Sequence, residues 1–557
     1  MTTPVTPSPR RAFIRQLGTA AAAGLALPAG LRAGAQSASD PRAGKAGDLA
    51  RRRPNVILIM ADDMGYADLG CFGASVVETP NLDRLGFGGT RFTQFYNCAK
   101  CAPSRASLLT GLYPPQAGSD GEKAFLTNCV TLGEALRPAG YHTWMTGKWH
   151  QFETPYQRGF DHFFGLCDGQ SNYWNPGPPR PGEPEPGNFT PKAYTHWAID
   201  DQEFDAWTPP TKEFFTTDAF TDEALGYMRR YAGDGKPFFL HVCYTAPHFP
   251  LQAHPADIAK YRGKFMGGWD AMRERRHRRQ LGLGVVDEIW SLSDRDEAAP
   301  AWDSLSEAEQ RDWDLRMAVY AAMIDRMDRN IGRLLHELEE TGELENTLIL
   351  FLSDNGACAE VFNRTPDIDP GPVESFRTLD LPWANACNTP FRKFKRRDHE
   401  GGISTPLLAY WPGVVPAGRI ERSMCHVMDV MPTLLELAGG TYPPTYDGRP
   451  IVPCEGRSLL PLLQGKAWAG HELLCWEYSI YAAARRGDWK IVRLAPDEPW
   501  ELYNMAADRT ETHDLASQFP ERVAALASDY AAWSERVGVE RVKVEARRLR
   551  NAGISGG

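Results

Sequence analysis

The sequence predicts an α/β fold with a large mixed, mostly parallel sheet sandwiched by helices, followed by a smaller C-terminal α+β domain carrying a short antiparallel sheet. Three observations predict it. Continuous apolar runs rich in aliphatic residues recur along the chain, as in strands buried on both faces. Helical patterns alternate with them. After Gly439-Gly440 the texture changes to short strand signals.

The first run is Asn55 to Ala61 (NVILIMA), and others follow at Tyr141 to Thr146, Phe238 to Tyr244 and Thr347 to Leu352. Helical patterns are expected at Val130 to Ala139 and Met317 to Leu338. Two segments interrupt the order. Asn172 to Phe189 is rich in proline and glycine, so it must be an irregular loop. Residues 262–313 are charged and Trp-containing, and read as an insertion with its own helices. The loops at 171–215 and 262–313 are the expected carriers of specificity. Beyond residue 440, strands are expected at Glu472 to Tyr478, Ala482 to Arg486, Trp489 to Leu494 and Trp500 to Asn504, then a helix from Glu521 to Val537. The resulting division is 1–35 export signal, 36–53 flexible leader, 54–440 catalytic domain and 441–557 C-terminal domain.

Composition narrows the function. The 557 residues are 42% hydrophobic and 24% charged, with a formal net charge of -10. That balance argues against nucleic acid as a partner, because such binders present a basic face. The one dense basic run, RERRHRR at 273–279, reads as a solvated loop or helix face. At the N-terminus, Arg10 and Arg11 precede a short Ala/Gly-rich apolar stretch and Ala33-Gly34-Ala35, the pattern of a twin-arginine export signal. The stretch is too short and glycine-rich for a membrane anchor. A periplasmic or secreted protein, handled by the twin-arginine export machinery, is therefore expected. Eleven scattered cysteines would allow one or two disulfides in that compartment, without naming them.

Each strong strand candidate ends in polar residues: Asp62-Asp63, Lys148 to His150, His248, and Asp354-Asn355. Ligands of open α/β sheets bind outside the carboxyl ends of the strands, so these clusters are expected to converge. Asp62, Asp63, Asp354 and Asn355 offer only oxygen, which suits a hard cation, Ca2+ or Mg2+. Lys148, Lys395 and Arg105 suggest an anionic ligand, and His150 and His248 can carry protons. Together they fit hydrolysis of an anionic ester. Cys101 is placed at or just before a helix N-terminus, with Pro103 in the first turn and Gly111 as the stop. The plain expectation for it is a low-pKa thiolate, yet a thiolate is a poor partner for a hard cation.

The segment Cys101 to Gly111 (CAPSRASLLTG) resembles the signature C-x-P-S-R-x-x-x-L-T-G of the type I sulfatases, in the alkaline-phosphatase-like superfamily. ADDMGYADLGCFG, TGKWHQ (departing from the family box at Gln151), YTAPHFPLQA, LSDNGA and EGGISTPLLAYWPG are similar to further family boxes. The resemblance implies that Cys101, not Cys98, is oxidised to formylglycine by a separate maturation enzyme. It implies Ca2+ rather than Mg2+, held by Asp62, Asp63, Asp354, Asn355 and the modified Cys101. Arg105 would steady the formylglycine hydrate, and Lys148, His248 and Lys395 would hold the sulfate oxygens. His248 with Lys395 would serve the leaving oxygen, and His150 would accept the proton that releases sulfate. The substrate implied is an aryl or carbohydrate sulfate ester. The rival readings are a phosphonate monoester or phosphodiester hydrolase, a non-catalytic sulfated-glycan-binding protein, and a Cys98/Cys101 redox pair.

Overall fold

The computed structural model describes residues 53–551, so the expected export signal and all but the last residue of the leader lie outside the described residues. The strands are β1 (Asn55–Ala61), β2 (Thr90–Tyr96), β3 (His142–Lys148), β4 (His162–Leu166), β5 (Trp197–Ile199), β6 (Gln202–Phe204), β7 (Phe238–Cys243), β8 (Thr347–Ser353), β9 (Ser404–Tyr410), β10 (Arg419–Glu421) and β11 (Cys425–His426). All join one 11-stranded sheet in the order β10-β2-β9-β8-β1-β7-β3-β4-β5-β6, with β11 also on β2. The central strands β8, β1, β7, β3 and β4 are parallel. β9 runs antiparallel to both β8 and β2, which makes the sheet mixed.

Alternation explains the layers. Ile57, Ile59 and Ala61 of β1 enter one apolar cluster, while Val56, Leu58 and Met60 enter another on the opposite face. Helix Thr216–Arg230 and the long helix Glu307–Glu340 cover the first face. Cys101–Thr110 and Val430–Leu437 cover the second. The long helix starts ten residues before the expected Met317, on a capping box formed by Ser306 and Glu309. The expected insertion at 262–313 therefore reduces to helix Gly268–Leu283 and connecting turns, its end belonging to the long helix.

The basic run does not form a solvated face throughout. Arg273 and Arg276 are buried, and Arg276 Nη1 lies 2.7 Å from Asp68 Oδ1. The helical pattern of the sequence was too polar to show that these two arginines point inward. All eleven cysteines are free thiols, so no disulfide forms. Among the described residues no helix is long and apolar enough to cross a membrane.

Past a short pair at β12 (Thr445–Tyr446) and β13 (Arg449–Pro450), four antiparallel strands follow: β14 (Leu473–Tyr478), β15 (Tyr481–Arg486), β16 (Trp489–Arg493) and β17 (Glu501–Asn504). Helix Pro520–Val537 packs on this small sheet, and a further helix, Val539–Asn551, was not foreseen. Tyr96, Ala99, Tyr113 and Ile403 from the first part of the chain share its core. That shared core brings the small sheet against the segment carrying Lys395.

Candidate active site

Parallel pairing puts the carboxyl ends of β8, β1, β7 and β3 on one edge, since Ala61 is level with Ser353, and Met60 and Gly147 are both level with Cys243. Asp62 and Asp63 follow β1, Lys148 closes β3, His248 follows β7, and Asp354 and Asn355 follow β8. Helix Cys101–Thr110 begins at Cys101 itself, one turn before Arg105, and ends on left-handed Gly111. Asp63 (φ 64°) and His150 (φ 65°) are non-glycine residues in the left-handed region. Such backbone costs free energy and clusters at functional sites.

The expected site residues all meet. Lys148 Nζ donates to Asp62 Oδ2 at 2.6 Å. Arg105 donates to Asp354 Oδ2 through Nε (3.0 Å) and Nη2 (2.7 Å). Lys395 Nζ lies 2.8 Å from Asp63 Oδ1, and His248 Nε2 lies 3.4 Å from Asp63 Oδ2. Asn355 Nδ2 donates to Asp63 Oδ1 at 2.6 Å. Cys101, His150, His248 and Lys395 line one cavity of about 380 Å³.

The electrostatics divide the acids. Burial, then repulsion from Asp354, pushes the Asp62 carboxyl up to about 8 despite Lys148. Burial also pushes Asp63 up, but Lys395, His248 and Lys148 outweigh it and hold it below the usual range. His150 is held well below its ordinary value by burial and by the positive charge of Lys148. His248 is lowered to about 3, by burial first, with Asp63 opposing. The low-pKa thiolate expected of Cys101 is not found. Burial raises that thiol, and Lys148 and Lys395 do not offset it against Asp62 and Asp354.

A cation fits this cluster. Asp62 Oδ1 and Asn355 Oδ1 are buried with no hydrogen-bond partner, an arrangement that costs free energy unless something satisfies it. Asp62, Cys101 and Asp354 bring ligand atoms within 4.8 Å of one another. Carboxylate and amide oxygens select a hard ion.

Several supporting residues escaped the sequence reading. Tyr320 Oη lies 2.8 Å from Asp68 Oδ2, which also accepts from Gly65 N at 2.9 Å, and Arg276 reaches the same carboxylate. This group holds the turn after Asp63 from behind. Its one signal was the basic run. Gln151, where the chain departs from the family box, donates to Ala102 O at 2.9 Å and ties the β3 end to the Cys101 helix. Tyr173 Oη sits 2.6 Å and 2.9 Å from the carbonyls of Thr245 and His248, fixing the His248 turn. A Cβ at Gly169 would lie 2.7 Å from His150 Nε2, so only glycine lets that backbone approach the imidazole. Of the two loops expected to carry specificity, 171–215 reaches the cavity through Phe189, Thr190, Ala193, Tyr194 and Thr195, whereas nothing from 262–313 lines it.

The chain is similar to known sulfatases. The sulfatase family model matches residues 54–440, and a model for the C-terminal region of N-sulphoglucosamine sulphohydrolase matches 391–527. An arylsulfatase of Klebsiella aerogenes is 32% identical over 455 residues, 76% of this chain and 95% of that protein. Human N-acetylgalactosamine-6-sulfatase is 30% identical over 482 residues, 82% of this chain and 75% of that protein. The crystal structure of Ps i-CgsB in complex with k-i-k-neocarrahexaose is similar at 26% identity and a TM-score of 0.63, covering 87% of this chain and 93% of that one. The chain belongs to the sulfatase family of the alkaline-phosphatase-like superfamily, and is a sulfuric ester hydrolase.

Proposed function

We propose that the chain hydrolyses aryl or carbohydrate sulfate monoesters to alcohol and inorganic sulfate by S–O cleavage, using formylglycine made from Cys101 and a bound Ca2+. The observation that carries this reading is the convergence of Cys101 with Asp62 and Asp354 in one buried group beside Lys148, Lys395 and His248. A buried thiol with a raised pKa is a poor nucleophile and a poor ligand for a hard ion, so conversion by a maturation enzyme removes a mismatch.

When present, the formylglycine hydrate supplies an oxygen nucleophile, and Ca2+ held by Asp62, Asp63, Asp354, Asn355 and residue 101 supplies Lewis acidity. The rest is the work of this chain's own side chains. Lys148, Lys395 and His248 hold the sulfate oxygens and stabilise charge on the transferred group. His248 Nδ1 lies 2.7 Å from the Phe249 carbonyl and carries its proton there. Nε2 therefore serves the leaving oxygen, together with Lys395, once the ring gains a second proton, which a bound sulfate's negative charge favours. Arg105 is fixed by Asp354 and by the Lys148 carbonyl, and orients residue 101. His150 Nδ1 is buried without a partner and is free to accept the proton that releases sulfate.

The paired arginines Arg10 and Arg11 support export by the twin-arginine machinery to the periplasm or beyond. The test of function is hydrolysis of 4-nitrophenyl sulfate in heavy-oxygen water, after co-expression with a maturation enzyme. Label in sulfate and not in the phenol is expected. Label in the phenol, or faster hydrolysis of an aryl phosphodiester, contradicts the reading.

A further inference from the structure

One wall of the catalytic cavity is a small apolar cluster separate from the cores of both sheets. Phe249, Cys358 and Phe376 are its buried members, and Phe362 packs against them. Phe189 joins from the proline-rich loop, with ring centroids 4.9 Å from Phe362 and 6.1 Å from Phe376. Phe249 meets Phe362 at 5.6 Å and Phe376 at 5.8 Å. Three loops, far apart in sequence, thus contribute one phenylalanine sheet. Arg364 lies over its outer side, 4.7 Å from the Phe189 ring centre.

Position gives this wall its meaning. The Phe249 ring lies 4.1 Å from that of His248, and Lys395 Nζ is 5.9 Å from its centre. A group bonded to a sulfate held by His248 and Lys395 has Phe249 beside it, with Phe362 and Phe189 further along the cavity lining. Phe189 is 36% exposed, so the wall reaches from the buried Phe249 to the surface. Large exposed apolar surface beside a cavity marks a place where ligand is bound. The charged groups around the rest of the cavity are already paired: Lys100 with Glu122, Lys123 with Asp168, and Arg396 with Glu360.

Resting on the sulfatase reading above, we propose that Phe189, Phe249 and Phe362 form the face against which the alcohol part of the substrate lies, and that they select esters whose alcohol is a ring with an apolar face. Phe189 and Phe362 are specificity-determining residues here, while the anion half of the site is independent of them. A ring laid on such a wall gains both buried area and aromatic contact.

The test measures calorimetric binding in a Cys101→Ala background, where no turnover occurs, with 4-nitrophenyl sulfate and inorganic sulfate as probes. Phe189→Ala and Phe362→Ala are expected to weaken 4-nitrophenyl sulfate about tenfold or more. They should leave inorganic sulfate unchanged, and Phe362→Tyr, which keeps the ring, should restore the ester. Unchanged ester binding in both alanine variants overturns the proposal. So does a matching loss for inorganic sulfate, which would show a general disturbance of the site. Turnover of the intact, matured protein is read separately. Absence of sulfate release there sinks the sulfatase reading, while the binding difference still decides the wall.

Discussion

Two buried charge clusters among the described residues differ in how their carboxylates are satisfied. At the junction with the small sheet, Lys490 Nζ lies 3.0 Å from Glu400 Oε1 and 2.8 Å from Glu511 Oε1. Tyr96 Oη and Arg509 Nε donate to Glu400 Oε2, both at 2.9 Å. Glu400 N donates to Glu511 Oε2, also at 2.9 Å. Every carboxylate oxygen of Glu400 and Glu511 has a partner. At the sheet edge the same residue types leave Asp62 Oδ1 and Asn355 Oδ1 bare, and one acid is driven up to about 8 by burial and by Asp354. Carboxylates satisfied from within fix a structure, whereas bare oxygens at the strand ends, grouped with Cys101 and Asp354, suit a cation. The junction also holds Glu400, five residues after Lys395, and so ties that stretch of chain to the small sheet.

The comparison breaks first under metal removal. Chelation by EGTA is expected to take sulfate-ester hydrolysis to background, with Ca2+ but not Mg2+ restoring it, and to leave the junction untouched. Full activity in EGTA would contradict the metal assignment. Next, Lys148→Ala should lower kcat/KM by about 10²- to 10³-fold, because it removes one fixed positive charge from the transferred group. In the Ca2+-bound protein its urea midpoint should move less than that of Lys490→Met, because the ion still partners Asp62. At the junction the order is reversed. Lys490→Met strands two buried carboxylates and should cost about 3–5 kcal/mol of stability by urea unfolding, with kcat of the folded fraction preserved. A large loss of kcat without a loss of stability would erase the distinction drawn here.

A smaller effect is expected at Gly169→Ala, whose Cβ would displace the His150 ring. Activity should fall about 10- to 100-fold, as when a group orienting a site residue is removed. Inorganic sulfate should still bind. The smallest effect is on acid stability. Burial pushes the Glu400 carboxyl up, but Lys490, Arg509 and Arg485 outweigh it and hold it at about 2, below its ordinary 4.5. A carboxyl lowered in the folded state stabilises fully above 4.5, and that contribution is lost as pH falls through about 2. Glu400→Gln should therefore flatten the acid limb of the unfolding midpoint against pH. Equal slopes in both proteins would show that Glu400 contributes nothing there.

How legible all this was depended on what each residue shows locally. β1, β7 and β8 stood out because strands buried on both faces are largely apolar, β3 did so through Trp144 and Met145, and the site acids and cations sit at or just after the strand ends. β2 (TRFTQFY) did not, since its polar Thr90, Arg91 and Thr93 are buried in spite of their type. β9 (STPLLAY) carries Pro406 within an apolar run and was read only as part of a family box. The long helix hid its first turns in charged residues, although Ser306 and Glu309 spelled a capping box. Tyr320 and Arg276 reach Asp68 only through tertiary packing, which no local pattern records. The same holds for the phenylalanine wall, assembled from three separate loops.

The central claim is that Cys101 is a precursor and not a thiol catalyst. The most direct measurement is the mass of the tryptic peptide Cys101 to Arg105 from protein co-expressed with a maturation enzyme. The account predicts replacement of the thiol by a carbonyl oxygen, and loss of aryl-sulfate hydrolysis in Cys101→Ala. A peptide that keeps its thiol in fully active protein would contradict it.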